Sequence, residues 1–448
     1  MERCGQAATG CGSAIARVME ATIALEDPES RAAQAPSQSG PQSARVRHLL
    51  AVARAEFVAG GFDAVSIDAI ARASGVSKET IYRYFPDKEA LFRAAAEELG
   101  TEFTARVNAQ PVDARAADDG LAFFSRAILD AAVDGGFLSA AWITISIARL
   151  MPDFAESMHD VQSNRLEPIR ALLQAIAEAH GESAHVPLDF AVLFGSLSSE
   201  SPALLMGFPS PPPAQRDVAA RRVAKLFGHG ILAMDDMGAQ RFPVPAAPPA
   251  GDAPPAHIAK LLDVAATHFL QNGYQGASLD LIGAEAAVGR GTLYRHFGNK
   301  AGLFGAAMRA MARRLTAAVP PPLPAGEVAE EALARFLQAS LQVLGGADSI
   351  LLHRTVIAEM RRDPELARDV YAILRNPWLA PLTAWLDSLE EAGKVRVHDR
   401  PWYARQALVL AFKGTRVVAA GKALGPSEMA GAARRAAAIF LRGFTAAL

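Results

Sequence analysis

The chain has 448 residues and a mass of 47.3 kDa, about three times the commonest domain size, which disfavours a single hydrophobic core and points to two or more domains. With 51% hydrophobic and 21% charged residues it can bury sizeable cores, which excludes wholesale disorder. The balance of 45 basic against 47 acidic residues, a net charge of -2, excludes a uniformly basic nucleic-acid coat and leaves any basic patch to local charge distribution.

Residues 1–43 read as a mostly disordered leader rich in Gly, Ala and Ser. Both cysteines, Cys4 and Cys11, lie in it, so neither a disulfide framework nor a CxxC metal pair is available, and a reducing cytoplasm fits best. The start of the chain has no basic flank followed by a continuous apolar core. The longest apolar stretches, such as Leu138 to Leu150, fall short of a membrane span, so no membrane association is expected.

The first predicted element is a helix: Val46, Leu49, Leu50, Ala53 and Phe57 fall at i, i+3, i+4, i+7 and i+11. Gly61 sits just past it, where a left-handed cap favours glycine. Ser66 is placed to cap a short helix with Asp68 in its first turn and Ile67, Ile70 and Ala71 as the buried stripe, and Gly75 breaks it. Ser77 then caps a second short helix, SKETIYRYF, with Ile81 and Phe85 on one face at i, i+4. This is a helix-turn-helix, followed by a longer helix that begins at Asp87 and runs through Leu91 and Phe92. The buried face leaves Lys78, Glu79, Thr80, Tyr82, Arg83 and Tyr84 largely outward, with Lys88 at the next helix start. Charge, hydroxyl and aromatic groups in that arrangement suit a major groove and its phosphates.

The rest of the first segment is helical in period, without a convincing strand pattern, up to a proline-rich stretch, PVPAAPPAGDAPPA, that reads as a semi-rigid linker. Beyond the linker the chain repeats itself. Phe57, Gly61, Ser66, Asp68, Tyr82, Arg83, Lys88 and Phe92 recur at a shift of 212 as Phe269, Gly273, Ser278, Asp280, Tyr294, Arg295, Lys300 and Phe304. Near the ends the shift slips by one, Ala219 to Arg222 recurring as Ala432 to Arg435. The expected organisation is a leader (1–43), a first domain (44–240, head 44–92), a linker (241–255) and a second domain (256–448, head 256–304), all of it α-helical. The second head departs in two places: Ala287 stands where Gly75 makes the turn, at a cost of about 1–2 kcal/mol if a left-handed conformation is kept, and Gly289 replaces the capping Ser77. Residues 45–93 carry eight Lys/Arg against six Asp/Glu and residues 254–314 seven against three, so both heads are positive on a negative chain.

The strings VSKETIYRYFPDKEALF and VGRGTLYRHFGNKAGLF resemble the DNA-binding head of the TetR family of bacterial transcriptional regulators. The remainder of each copy resembles that family's helical ligand-binding and dimerisation body, and HRTVIAEMRRDPELARDVY is similar to the body of one branch. The resemblance implies that Lys78, Glu79 and Tyr82 read bases while Ser66, Thr80, Tyr84 and Lys88 hold the backbone. In the second copy it implies Arg290, Gly291 and Tyr294 for bases, with Ser278, Thr292, His296 and Lys300 for phosphates. Lys78-Glu79 against Arg290-Gly291 implies unlike half-sites, since arginine can pair bidentately with guanine and glycine offers no side chain.

Elsewhere the residues read plainly. His180 and His185 lack the paired set a metal needs and read as loop residues, so neither metal nor cofactor is expected. Signatures such as GxSxG and HExxH are absent, and no enzyme is expected. Trp142, Phe336 and Trp378 lie on apolar body helices as core, while His353 and Trp385 are the residues chosen to line a pocket for an unknown small-molecule effector. The expected function is a ligand-responsive, DNA-binding repressor acting on a double-stranded operator. The two copies form an intrachain pseudo-dimer, with a homodimer of four heads as the competing arrangement. The rival reading is a ligand sensor or protein scaffold whose second head no longer touches DNA.

Overall fold

In a computed structural model, the residues described are 41–97, 117–134, 137–148, 166–199, 201–234, 246–249, 254–317, 320–413 and 423–448, with single positions between them. Among these residues there is helix and no strand. Most of the predicted leader lies outside the described residues, but its last three positions, Pro41 to Ser43, already belong to the first helix.

The chain divides into two compact units: residues 1–199 with 211–228 and Leu448, and residues 200–210 with 229–447. Residues 200–210 of the first sequence copy thus belong to the second unit. Their placement was not legible from the repeat, which assigns them to the first copy.

In the first unit, α1 (Pro41–Ala64), α2 (Ile67–Ser74), α3 (Lys78–Tyr84) and α4 (88–97) make the head, and α5 (Ala117–Val133), α6 (Phe137–Ile147), α7 (Glu167–Ala179), α8 (Leu188–Ser199) and α9 (Pro213–His229) make the body. The second unit repeats the head as α10 (Ala256–Gly276), α11 (Leu279–Ala286), α12 (Arg290–Phe297) and α13 (Lys300–Leu315). Its body is α14 (Glu330–Leu344), α15 (Ala347–Glu359), α16 (Pro364–Glu391), α17 (Arg400–Phe412) and α18 (Pro426–Arg442). α15 packs on both head helices α10 and α13 and on body helix α16, so it bridges head to body within that unit.

The predicted stripe is fully buried on α10, while on α1 Val46 and Leu50 are half-buried. Leu49, Ala53 and Phe57 are buried on α1, and Ile258, Leu261, Leu262, Ala265 and Phe269 on α10. Phe57, Phe62 and Phe92 form a three-ring cluster with centroids 5.0–6.1 Å apart, and Phe269, Tyr274 and Phe304 repeat it at 5.0–6.3 Å. Gly61 and Gly273 do not take the expected left-handed helical cap. Both have φ near +70–80° with extended ψ (φ 79, ψ 165 and φ 69, ψ 175), a region open to glycine alone, and the helix resumes for a few residues beyond the kink. Phe85 also departs from expectation: α3 ends at Tyr84, and Phe85 is a half-buried cap residue with extended backbone instead of a core position on the helix.

The turn between the two short helices is the same in both heads despite its different residue. Gly75 has φ 66, ψ 17, and Ala287 keeps the left-handed conformation at φ 57, ψ 40. Amide N–H groups of Ala287 and Val288 donate to the carbonyls of Ala284 (3.2 Å) and Gly283 (2.8 Å), and these bonds hold the strained residue in place. Ala287 is exposed, so its methyl contributes little packing. The Ala287→Gly variant is therefore expected to be more stable by about 1 kcal/mol, the left-handed penalty less the extra unfolded-state freedom of glycine. Urea denaturation measures it, and an unchanged or lowered midpoint would show that the turn carries no strain.

Candidate nucleic-acid interface

Local side-chain caps set the short helices of both heads, except α12. Ser66 Oγ accepts from the Ala69 amide (3.1 Å) and Ser278 Oγ from Leu281 (3.5 Å), starting α2 and α11. Ser77 Oγ accepts from the Thr80 amide (3.2 Å) and lies 2.8 Å from the Thr80 hydroxyl, so Thr80 is drawn into the cap of α3. In the second head Gly289 has the extended backbone of a cap residue but supplies no side chain, and α12 forms without that bond. Asp87 and Asn299 cap the next helices through Ala90 (2.7 Å) and Gly302 (2.9 Å). Ile81 and Leu293 are the buried anchors of the two recognition helices.

The outward face carries the predicted readers. Tyr82 is 44% exposed and Tyr294 50%, unusual values for aromatic side chains. Lys78 and Glu79 are exposed beside Tyr82, and Arg290 and Gly291 beside Tyr294. A Cβ added at Gly291 would meet nothing within 4 Å, so that face is open. His296 is exposed, while Thr80, Thr292 and Tyr84 are half-buried. The Arg83 guanidinium lies 5.3 Å from the Tyr84 ring centroid.

Sequence reasoning missed the pairing of the two cations predicted to read bases. Lys78 Nζ lies 2.9 Å from Asp68, and Arg290 makes a two-pronged contact with Asp280. The hydrogen bond and charge of Asp68 raise the Lys78 ammonium above its usual range, and those of Asp280 do the same for Arg290 and lower Asp280. Recurrence of both Asp and cation at the shift of 212 was the available signal.

Lys88 and Lys300, predicted to hold phosphates, are half-buried at the foot of each head. The Lys88 ammonium lies 4.5 Å from the Phe62 ring centroid, and that of Lys300 lies 5.0 Å from Tyr274 and donates to the Gln275 carbonyl (3.0 Å). Burial, then the charge of Arg362, lowers the Lys300 pKa.

Two matches with known proteins decide the family. A profile described as bacterial regulatory proteins, tetR family, matches residues 49–95 and 261–307, and one described as AefR-like transcriptional repressor, C-terminal domain, matches residues 331–446. The chain belongs to the TetR family. Over 148 residues it is 26% identical to the HTH-type transcriptional repressor AcnR of Corynebacterium glutamicum, covering 33% of this chain and 68% of the relative. The AcnR of Corynebacterium efficiens is 28% identical over 147 residues, with 33% and 67% covered. Solved structures similar to it include the fatty acid degradation regulator FadR from Bacillus halodurans, at 16% identity and a TM-score of 0.33, covering 42% of this chain and 96% of that one. The TetR-family regulator PfmR from Thermus thermophilus is similar at 19% identity and a TM-score of 0.32, with 40% and 95% covered. No helix among the described residues of this TetR-family chain is long and apolar enough to cross a membrane.

The pocket candidates of the second TetR body are both buried. Trp385 donates its indole N–H to the Glu327 carbonyl (3.1 Å). His353 Nδ1 lies 2.7 Å from the Ser349 carbonyl, which makes it the donor, and leaves Nε2 to accept from Arg375 at 3.0 Å. Trp142, Phe336 and Trp378 are buried as expected, the last two in edge-to-face contact at 5.6 Å. His180 caps the end of α7 and His185 is exposed in the following loop.

Tyr82→Ala is expected to weaken DNA binding roughly tenfold, the value of about one base contact, with unchanged circular dichroism. Titrations must be compared at one stated salt concentration. Equal affinity of the folded variant would remove Tyr82 from the reading face.

Burial, then the charge of Arg375, lowers His353 to about 3. The folded protein therefore holds it neutral while the unfolded chain protonates it near 6.5, so the stability of the neutral form is complete above 6.5 and is lost as pH falls toward 3. The slope is roughly 1.4 kcal/mol per pH unit in that window. His353→Gln should flatten the acid side of a stability-against-pH curve, and an unaltered slope would place the acid sensitivity elsewhere.

Proposed function

We propose that this TetR-family chain is a ligand-responsive transcriptional repressor of the cytoplasm that reads an asymmetric operator, its two heads acting as the halves of one intrachain pseudo-dimer. The observation that carries this reading is the pair of outward-facing helices with unlike residues at the predicted reading positions, Lys78-Glu79 and Arg290-Gly291. Lysine and glutamate offer a donor and an acceptor to base edges, while arginine beside glycine offers a two-pronged donor that suits guanine. Positive charge in both heads provides the salt-dependent attraction to phosphates that any such reader needs.

Three features support pairing within the chain. α8 and α17 are apolar and buried on nearly all faces, as helices of a pairing bundle would be. Residues 200–210 have left the unit of their own copy. The proline-rich linker of about 15 residues spans on the order of 50 Å at roughly 3.1 Å per residue, enough reach to bring two domains side by side. The reading in which the second head has left DNA draws only on the missing cap at Gly289. Against it stand the preserved turn at Ala287 and the exposed Tyr294.

Light scattering at micromolar protein is expected to give a mass near 47.3 kDa. A stable species of twice that mass would replace the pseudo-dimer with a homodimer. Selection from random duplexes should return two different half-sites about 34–36 Å apart. The double variant Arg290→Lys with Gly291→Glu gives the second helix the first helix's readers, at a position with room for the new side chain. Selection with it should return two like half-sites, and an unshifted preference would take the second head off DNA.

A further inference from the structure

A recess in the second unit holds a charge without a counter-charge. It is lined by Tyr371 and Arg375 of α16, by Arg405, Leu408 and Phe412 of α17, and by Pro202 from the segment that joins this unit out of the first sequence copy. Arg375 is only 8% exposed, and among the described residues no carboxylate pairs with it. Its hydrogen-bonding partner is the neutral Nε2 of His353, which leaves most of its five N–H donors to other company. The Tyr371 hydroxyl is buried without a hydrogen-bond partner, and the Arg375 guanidinium lies 4.5 Å from the Tyr371 ring centroid. A buried, unpaired guanidinium beside an unpaired hydroxyl is a costly arrangement that an anion would resolve, because the anion accepts from both. Leu408, Phe412 and Pro202 make the remaining wall apolar.

We propose that this recess binds a small organic acid, its carboxylate held by Arg375 and the Tyr371 hydroxyl and its apolar part against Leu408, Phe412 and Pro202. This gives a chemical class to the effector of the repressor and, in its regulatory part, rests on that reading. His353, the partner of Arg375, sits on α15. The same helix runs to Glu359, beyond which Arg362 stacks 3.3 Å from the ring centroid of Tyr274 in the head. A carboxylate that draws Arg375 away from His353 therefore acts on the helix that bridges recess and head. At the shift of 212, Ala141 and Ser163 stand where His353 and Arg375 do, so the first copy cannot build the same cluster and one molecule binds per chain.

The test is calorimetry on the full chain without DNA, titrating butyrate and benzoate, their neutral isosteres butanamide and benzamide, and inorganic phosphate. The expected result is saturable binding of at least one of the two carboxylates at one per chain, at least tenfold tighter than its amide and tighter than phosphate. Tyr371→Phe removes only an oxygen without a partner. It should leave the melting temperature of the free protein unchanged or raised while weakening carboxylate binding about tenfold, and Arg375→Met should abolish binding. Amides that bind as well as acids, phosphate that binds better, no binding of any carboxylate, or a destabilised Tyr371→Phe protein would each overturn the site. A separate operator titration with saturating carboxylate reads regulation. Weakened operator binding supports the relay, and unchanged operator binding overturns the relay alone. Failure to bind any duplex overturns the repressor reading without touching the calorimetric result.

Discussion

Each head stands on a cluster of three rings, and the position of everything that faces outward follows from it. A head of about 50 residues is near the lower limit at which a hydrophobic core sustains itself, so a few large side chains must do most of the burying. Phe57, Phe62 and Phe92 meet edge to face and stacked, as do Phe269, Tyr274 and Phe304. The glycine-only backbone at Gly61 and Gly273 turns the chain so that the middle ring returns to the other two. Lys88 and Lys300 lie over that middle ring, adding a cation–π contact to the same joint. In the second unit the body reaches the joint directly, through Arg362 over Tyr274. The foundation of the head is thus also where the body can act on it.

What could be read from the sequence was what is encoded locally. Caps at Ser66, Ser77 and Asp87 depend on residues three positions apart, and they hold; Ser278 and Asn299 cap the matching helices of the second head. Stripes on α1 and α10 depend on a single helical period, and they are the buried faces. Contacts that span a turn were not legible. Asp68 reads as a favourable first-turn charge, whereas its partner Lys78 lies ten residues on, across the left-handed turn. The end of α3 was missed because an i, i+4 pattern continues through Phe85 while the backbone does not. Arg375 escaped notice for a related reason: a single basic residue among apolar ones on a long helix looks like a solvated position, and only the packing of α15 and α17 around α16 buries it.

The copies have kept the same frame and diverged in the turn, in the cap and in the buried charge of the body. In the first head the turn is unstrained at Gly75 and the recognition helix is capped by Ser77; in the second the strain at Ala287 is carried and the cap is missing. By side-chain chemistry the second body is the more specialised, holding His353 and Arg375 where the first has Ala141 and Ser163. The first unit instead satisfies its buried cation internally, Arg216 donating to Asp130 and Asp134 at 2.8 and 2.5 Å. Two arginines at low exposure therefore have opposite status. One is closed by carboxylates of its own chain, and the other has the neutral His353 as its hydrogen-bonding partner.

Pairing within a chain changes what a ligand has to accomplish. Separate subunits bind an operator with an occupancy that depends steeply on concentration, so a ligand can act by separating them. A tether holds the copies at an effective concentration in the millimolar range, which removes separation as a means of control and leaves the internal conformational equilibrium. Taking such an equilibrium from nearly all operator-competent to nearly all incompetent requires a ligand that prefers one state by about 10⁴-fold, roughly 5.5 kcal/mol. A buried ionic group left without its partner costs about 3–5 kcal/mol, so compensating one such charge in one state and not in the other reaches most of that difference. A single charged recess in one copy is therefore sufficient in magnitude, and a second recess in the other copy is not required. In the proposed pseudo-dimer the first body is thus free to keep a closed core, and the proposed recess of the second would suffice as the switch for both heads.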